Sequence, residues 1–240
     1  MASLFSKSDV ERWVAQNEKK MTLLQRRLGS SRTSSTDKQG LSLLSLTLED
    51  QGYIHVAAGN RDKAIACFHQ AVEICATVLS LEMQGVPSPL GYLSAAYFQQ
   101  LLIALAVGDN DLIKRFAEML PTDNAYDPDD SVYIAKALKA LTLGRINEAR
   151  PHLALPAPDT DAQFIGYVEC LRAIANGSWA DFVNELRRAA AGWEKFTRRE
   201  FEGQSCSSCF IGGVGLLKLA RRVSGQELPV TIEHIPSLLL

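Results

Sequence analysis

One recurring pattern constrains this chain more than any other: an apolar helical run, a Gly beside a polar residue, then a second helical run. It occurs at Ala58-Gly59-Asn60-Arg61-Asp62, Val107-Gly108-Asp109-Asn110-Asp111, Leu143-Gly144-Arg145-Ile146-Asn147 and Asn176-Gly177-Ser178-Trp179. Gly enters the left-handed region without a Cβ clash, so it ends a helix cheaply. The Asn, Asp or Ser that follows can cap the next helix by accepting its free N–H groups. Four such junctions predict helical hairpins set side by side: an all-α chain built as a tetratricopeptide-like superhelix or an irregular helical array.

The segments between the junctions support that reading. Residues 9–28, with Ser8-Asp9 as the expected cap, carry Val10, Trp13, Val14, Met21, Leu24 and Leu28 among many charges, the pattern of an amphipathic helix. The polar run 29–36 reads as a linker. The expected organisation is therefore 1–40, a helix plus flexible linker, and 41–240, a hairpin domain. Leu48, Gly52, Ala64, Phe68 and Ala71 stand at tetratricopeptide offsets, where small residues let two helices approach and Phe fills the groove. Further pairs are expected at 90–107 with 109–120, 130–143 with 146–155, and 161–176 with 178–201. In the last of these, Trp179, Phe182, Leu186, Ala189, Trp193 and Phe196 alternate in steps of three and four. A final helix near 205–224, rich in Gly, should pack closely on its neighbour. The tail through Pro229 and Pro236 reads as an extended strap over it.

The totals narrow the function classes. A chain of 240 residues that is 47% apolar can bury a substantial core. A net charge of −2 gives no reason to expect nucleic acid or anionic lipid as a partner. No uninterrupted apolar run approaches the roughly 18 residues of a membrane span, and Lys7 and Asp9 leave no room for a signal-peptide apolar region. Five cysteines, an odd number, fit a reducing cytoplasm better than a disulfide framework.

Catalytic and cofactor signatures are weak. Cys206-Ser207-Ser208-Cys209 has metal-ligand spacing but no matching second pair, and reads as helix-packing thiols. His55, His69, His152 and His234 are scattered. Gly212-Gly213-Val214-Gly215 lacks the strand and the Lys-Ser/Thr of a phosphate loop. No catalytic, cofactor-binding or metal residue is assigned, and an enzyme is not expected. Charge placement offers more. Asp123, Asp127, Asp129 and Asp130, then Asp159 and Asp161, fall in loops between hairpins and would line one edge of the array. They read either as helix caps and loop solvation or as an acidic strip that meets a basic partner. Arg187, Arg188, Lys195, Arg198, Arg199, Arg221 and Arg222 read as a solvated face paired with Glu185, Glu194 and Glu200.

The C-terminal third carries a resemblance. Ile174-Ala175-Asn176-Gly177-Ser178-Trp179, then Gly215-Leu216-Leu217-Lys218-Leu219-Ala220, Gly225-Gln226-Glu227-Leu228-Pro229-Val230 and Ile235-Pro236-Ser237-Leu238-Leu239 are similar to the immunity protein 49 family of bacterial polymorphic-toxin systems. That resemblance implies a cytoplasmic, all-helical protein that binds and neutralises a cognate toxin delivered by contact-dependent or type VI-like secretion, without a cofactor. Inhibition would be either a steric plug or acidic mimicry of the toxin's substrate, and under mimicry the loop positions of Asp127, Asp129 and Asp130 make them the candidates. The alternative is a tetratricopeptide-like adaptor or chaperone that holds a peptide. The sequence leaves the oligomeric state open.

Overall fold

The computed structural model describes residues 6–27, 35–86, 95–122, 129–154, 164 and 166–240. Ten α-helices and no strand occur among the described residues: α1 (Lys7–Arg27), α2 (Ser35–Ala57), α3 (Arg61–Met83), α4 (Phe98–Val107), α5 (Asn110–Met119), α6 (Asp129–Thr142), α7 (Ile146–Ala154), α8 (Tyr167–Asn176), α9 (Trp179–Glu200) and α10 (Ile211–Ser224). The all-α helical array anticipated from the junctions is the observed fold class.

Three of the four junction glycines behave as the pattern requires. Gly59, Gly144 and Gly177 adopt φ of 72°, 73° and 68°. Gly108 does not; it is extended, with φ −78° and ψ 160°. A Cβ there would stand 2.6 Å from the Ala104 carbonyl oxygen, so close approach rather than handedness excludes a side chain. Capping follows the same division. The Asp109 carboxylate accepts the Leu112 N–H at 2.8 Å, whereas Asn60 and Ser178 make no side-chain cap. At α1 the cap is Ser6 rather than Ser8. Asp9 N–H donates to Ser6 Oγ at 3.2 Å and Ser6 N–H donates back to Asp9 Oδ2 at 3.2 Å, a reciprocal capping box. Its hydrogen bond from the Ser6 hydroxyl holds the Asp9 carboxyl below its ordinary value.

The chain divides into two compact units: Met1–Leu93 with Gly203–Cys209, and Ser94–Glu202 with Phe210–Leu240. The division does not fall at residue 40, because α1 lies on the core of the first unit. Met21 and Leu24 of α1 pack against Leu44, Leu48 and Ala71. The α2–α3 pair forms the centre of that unit. Phe68 is fully buried with its ring against Gly52, and the Tyr53 ring meets it edge-on at 5.2 Å. Over its best 18-residue stretch α3 has a mean hydropathy of 1.6, long and apolar enough to cross a bilayer. Much of that apolar surface, including Ala64, Phe68, Ala71 and Val72, is buried within the unit. The pair also encloses a charge: Lys38 is 1% exposed. Its Nζ donates to the Val86 carbonyl at 2.8 Å and lies 3.5 Å from Glu82 Oε1.

In the second unit α10 is the central element, touching α4, α6, α8 and α9. Its closest partner is α4 rather than its sequence neighbour α9. Gly215 sits directly on the Leu102 carbonyl, and Lys218 Nζ donates to the Ala106 carbonyl at 2.6 Å. With no Cβ at Gly215, the two helix backbones can approach one another there. The expected α9 stripe is seated, with Phe182, Leu186 and Ala189 fully buried. The tail forms the anticipated strap: Ile232, Ile235 and Leu239 are buried, and Phe210 N–H donates to the His234 carbonyl at 2.7 Å. Arg188–Glu185, Arg198–Glu194 and Arg199–Glu200 ion pairs occupy the predicted solvated face of α9.

Candidate functional site

The expected acidic strip is described at one side chain. Asp123, Asp127, Asp159 and Asp161 lie outside the described residues; Asp129 opens α6, but its side chain is also outside them. Asp130 is 5% exposed, and its Oδ1 accepts the Ser131 N–H at 2.7 Å.

Cys206 lies in a 3₁₀ turn, Ser205–Ser208, on α2 within the first unit, and Cys209 ends that turn. Ser208 Oγ donates to the Tyr53 carbonyl at 3.0 Å and fixes the turn there. Burial pushes the Cys206 thiol up to about 11 and Cys209 to about 12, so both stay protonated at neutral pH. Among the described residues no three His, Cys, Asp or Glu side chains gather where they could hold a metal.

That same turn closes a cleft the sequence did not announce. It has a volume of about 330 Å³ and lies between α1, α2 and residues 203–205. Trp13, Asn17 and Lys20 come from α1, Asp50 and Ile54 from α2, and Ser205 from the turn. Helical geometry puts positions 13, 17, 20 and 24 on one stripe of α1, so the side that buries Met21 and Leu24 must also bury residue 17. Asn17 is accordingly 3% exposed, and its Oδ1 has no hydrogen-bond partner. An unpaired buried carbonyl of this kind forfeits about 1–3 kcal/mol.

Asp50 faces the same space. Burial raises its carboxyl above the ordinary value, although the Lys20 ammonium, 4.0 Å away, and a hydrogen bond with the Ser205 side chain both act to lower it. The carboxylate is therefore incompletely compensated. At the mouth Arg12 pairs with Asp9 at 3.0 Å. The signal in the sequence was an interruption: a polar residue inside the apolar stripe running from Trp13 to Met21 and Leu24.

Two clefts of about 360 Å³ occur in the second unit, and Lys139, Arg145 and Arg222, which line them, are engaged within the fold. In one, Lys139 Nζ donates to the Glu118 and Leu120 carbonyls at 3.1 and 2.9 Å, closing the end of α5, and Arg145 pairs with Glu148 at 3.7 Å. In the other, Arg222 donates to Asn110 Oδ1 at 2.9 Å.

The apolar surface is equally uneven. Among the described residues the large exposed apolar side chains are Leu23, Leu43, Leu46 and Met83, at 53, 45, 56 and 60% exposure, all on α1–α3. On α2, positions 43, 46, 50 and 54 share one stripe, so Leu43 and Leu46 continue directly into the wall of the cleft. No family model, curated protein or solved structure matches the chain.

Proposed function

We propose that this chain is a protein-binding module that neutralises a toxin by docking on it, with the α1–α2 face of the first unit as the contact surface. The observation that carries this reading is the exposure of Leu23, Leu43 and Leu46 on α1 and α2, neighbouring helices held together by Met21 and Leu24 packing on Leu44 and Leu48. Exposed apolar side chains on adjacent helices favour a protein partner, because burying them on another surface is what stabilises a complex. The specific assignment to toxin neutralisation rests on the resemblance to the immunity protein 49 family given above.

The test is growth protection. The full chain is co-produced with the product of the open reading frame adjacent to its own gene, and growth is followed. Protection is expected, and it should be lost in the Leu43→Asp/Leu46→Asp variant. No protection from the unaltered chain would overturn the toxin assignment.

A second reading, a tetratricopeptide-like adaptor, draws on the α2–α3 pair, in which Leu48, Ala64, Phe68 and Ala71 are buried at the expected offsets. An adaptor would bind extended peptides from several proteins and give no growth protection.

A further inference from the structure

We propose that the cleft between α1, α2 and residues 203–205 is a socket for an arginine side chain of the partner protein, whose guanidinium donates to Asn17 Oδ1 and to the Asp50 carboxylate. This deepens the proposed function and rests on that face being the docking surface. Two acceptors in the cleft lack adequate donors. Asn17 Oδ1 is buried with no partner. Asp50 is only partly neutralised: besides a hydrogen bond with Ser205, it has the Lys20 ammonium at the 4.0 Å limit of an ion pair, on a side chain 62% exposed. A ligand that completes the site must be rich in donors and positively charged.

Among protein side chains, arginine meets both requirements. Its planar guanidinium offers several N–H groups in a fixed fork, suited to engaging a carboxylate and an amide oxygen at once, whereas an ammonium is a compact point charge. Trp13 and Ile54 supply an apolar wall for the methylene stem. On binding, the Lys20 side chain yields its place at Asp50 and extends into solvent, where its charge is fully hydrated. The leucines of the adjoining stripe supply contact area, and the socket supplies selectivity, the usual division between an apolar interface and a polar anchor.

The test uses the full chain and three small probes: Nα-acetylarginine methylamide, its neutral isostere Nα-acetylcitrulline methylamide, and Nα-acetylglutamate methylamide. Binding is followed through the indole N–H resonance of Trp13 in ¹H–¹⁵N spectra. Arginine should give a saturable shift, with citrulline at least about tenfold weaker, because a charged hydrogen bond is worth roughly that factor or more. Asp50→Asn and Asn17→Leu, both close in shape to the original side chains, should each weaken the arginine probe by about tenfold. Their spectra report independently that the chain is folded.

Absence of a saturable shift, equal binding of citrulline, or preference for glutamate would overturn the socket. The last result would mean that Arg12 and Lys20 govern the cleft. The two levels fail separately. A chain that protects growth but ignores the arginine probe refutes the socket and leaves the docking reading standing. A chain that binds the probe but gives no protection upholds the socket and refutes the toxin assignment.

Discussion

Gly52 on α2 lies flat against the ring of Phe68 on α3: a methyl group built on Gly52 would stand 2.6 Å from ring atoms Cδ1 and Cε1. The ring has little room to retreat, because it is fully buried and Tyr53 meets it edge-on at 5.2 Å. Gly to Ala in an exposed helix interior gains up to about 1 kcal/mol. Here the sign should reverse, with Gly52→Ala losing about 1–3 kcal/mol by overpacking. Urea unfolding measures this. Gly215→Ala should cost more, since its neighbour is the Leu102 carbonyl, a backbone group with nowhere to move.

Helix capping gives a graded prediction. Asp109→Ala removes the acceptor for the Leu112 N–H and should cost about 1 kcal/mol. Asn60→Ala and Ser178→Ala, at junctions of similar sequence, remove no side-chain cap and should cost a few tenths at most. Thermal unfolding of the three variants side by side checks the order.

Lys38 and Glu82 form an ion pair inside the first unit, with side chains 2% and 7% exposed. Lys38→Met leaves a buried carboxylate without its cation and should destabilise by about 3–5 kcal/mol. Replacing both, as Lys38→Met/Glu82→Leu, should restore most of that loss. A double-mutant cycle in denaturant separates the coupling from the single effects.

Asp50 makes stability depend on pH in a defined direction. Its folded carboxyl is raised above the ordinary 3.8. Between the unfolded and folded values the native chain holds a proton that the unfolded chain has released, so stability falls as pH rises through that window. Above the window the penalty is fully present. Asp50→Asn should therefore gain stability relative to the unaltered chain as pH goes from about 3.5 to 7. Chemical denaturation across that range, compared between the two chains, gives the difference curve, and a flat difference would contradict the burial of Asp50.

Much of the fold was legible because local chemistry and tertiary packing agree. The junctions at Gly59, Gly144 and Gly177 demand a left-handed residue, and the apolar steps along α9 can be satisfied only by burying one face. Gly108 looked identical in sequence and differs because its constraint is a neighbouring carbonyl, which no local pattern reveals. The cleft was hidden for a similar reason. Ser208 reaches Tyr53 across most of the chain, and that return is what brings Ser205 to Asp50. Read alone, Asn17 is one polar residue in a charged helix; its meaning comes from Trp13 and Met21 on either side of it.

The most direct test of the central claim is growth under toxin challenge with the α1–α2 face altered. Leu43→Asp/Leu46→Asp, folded and produced at normal levels, should abolish protection, while the unaltered chain protects. Protection that survives the double substitution would place the contact elsewhere and contradict the account.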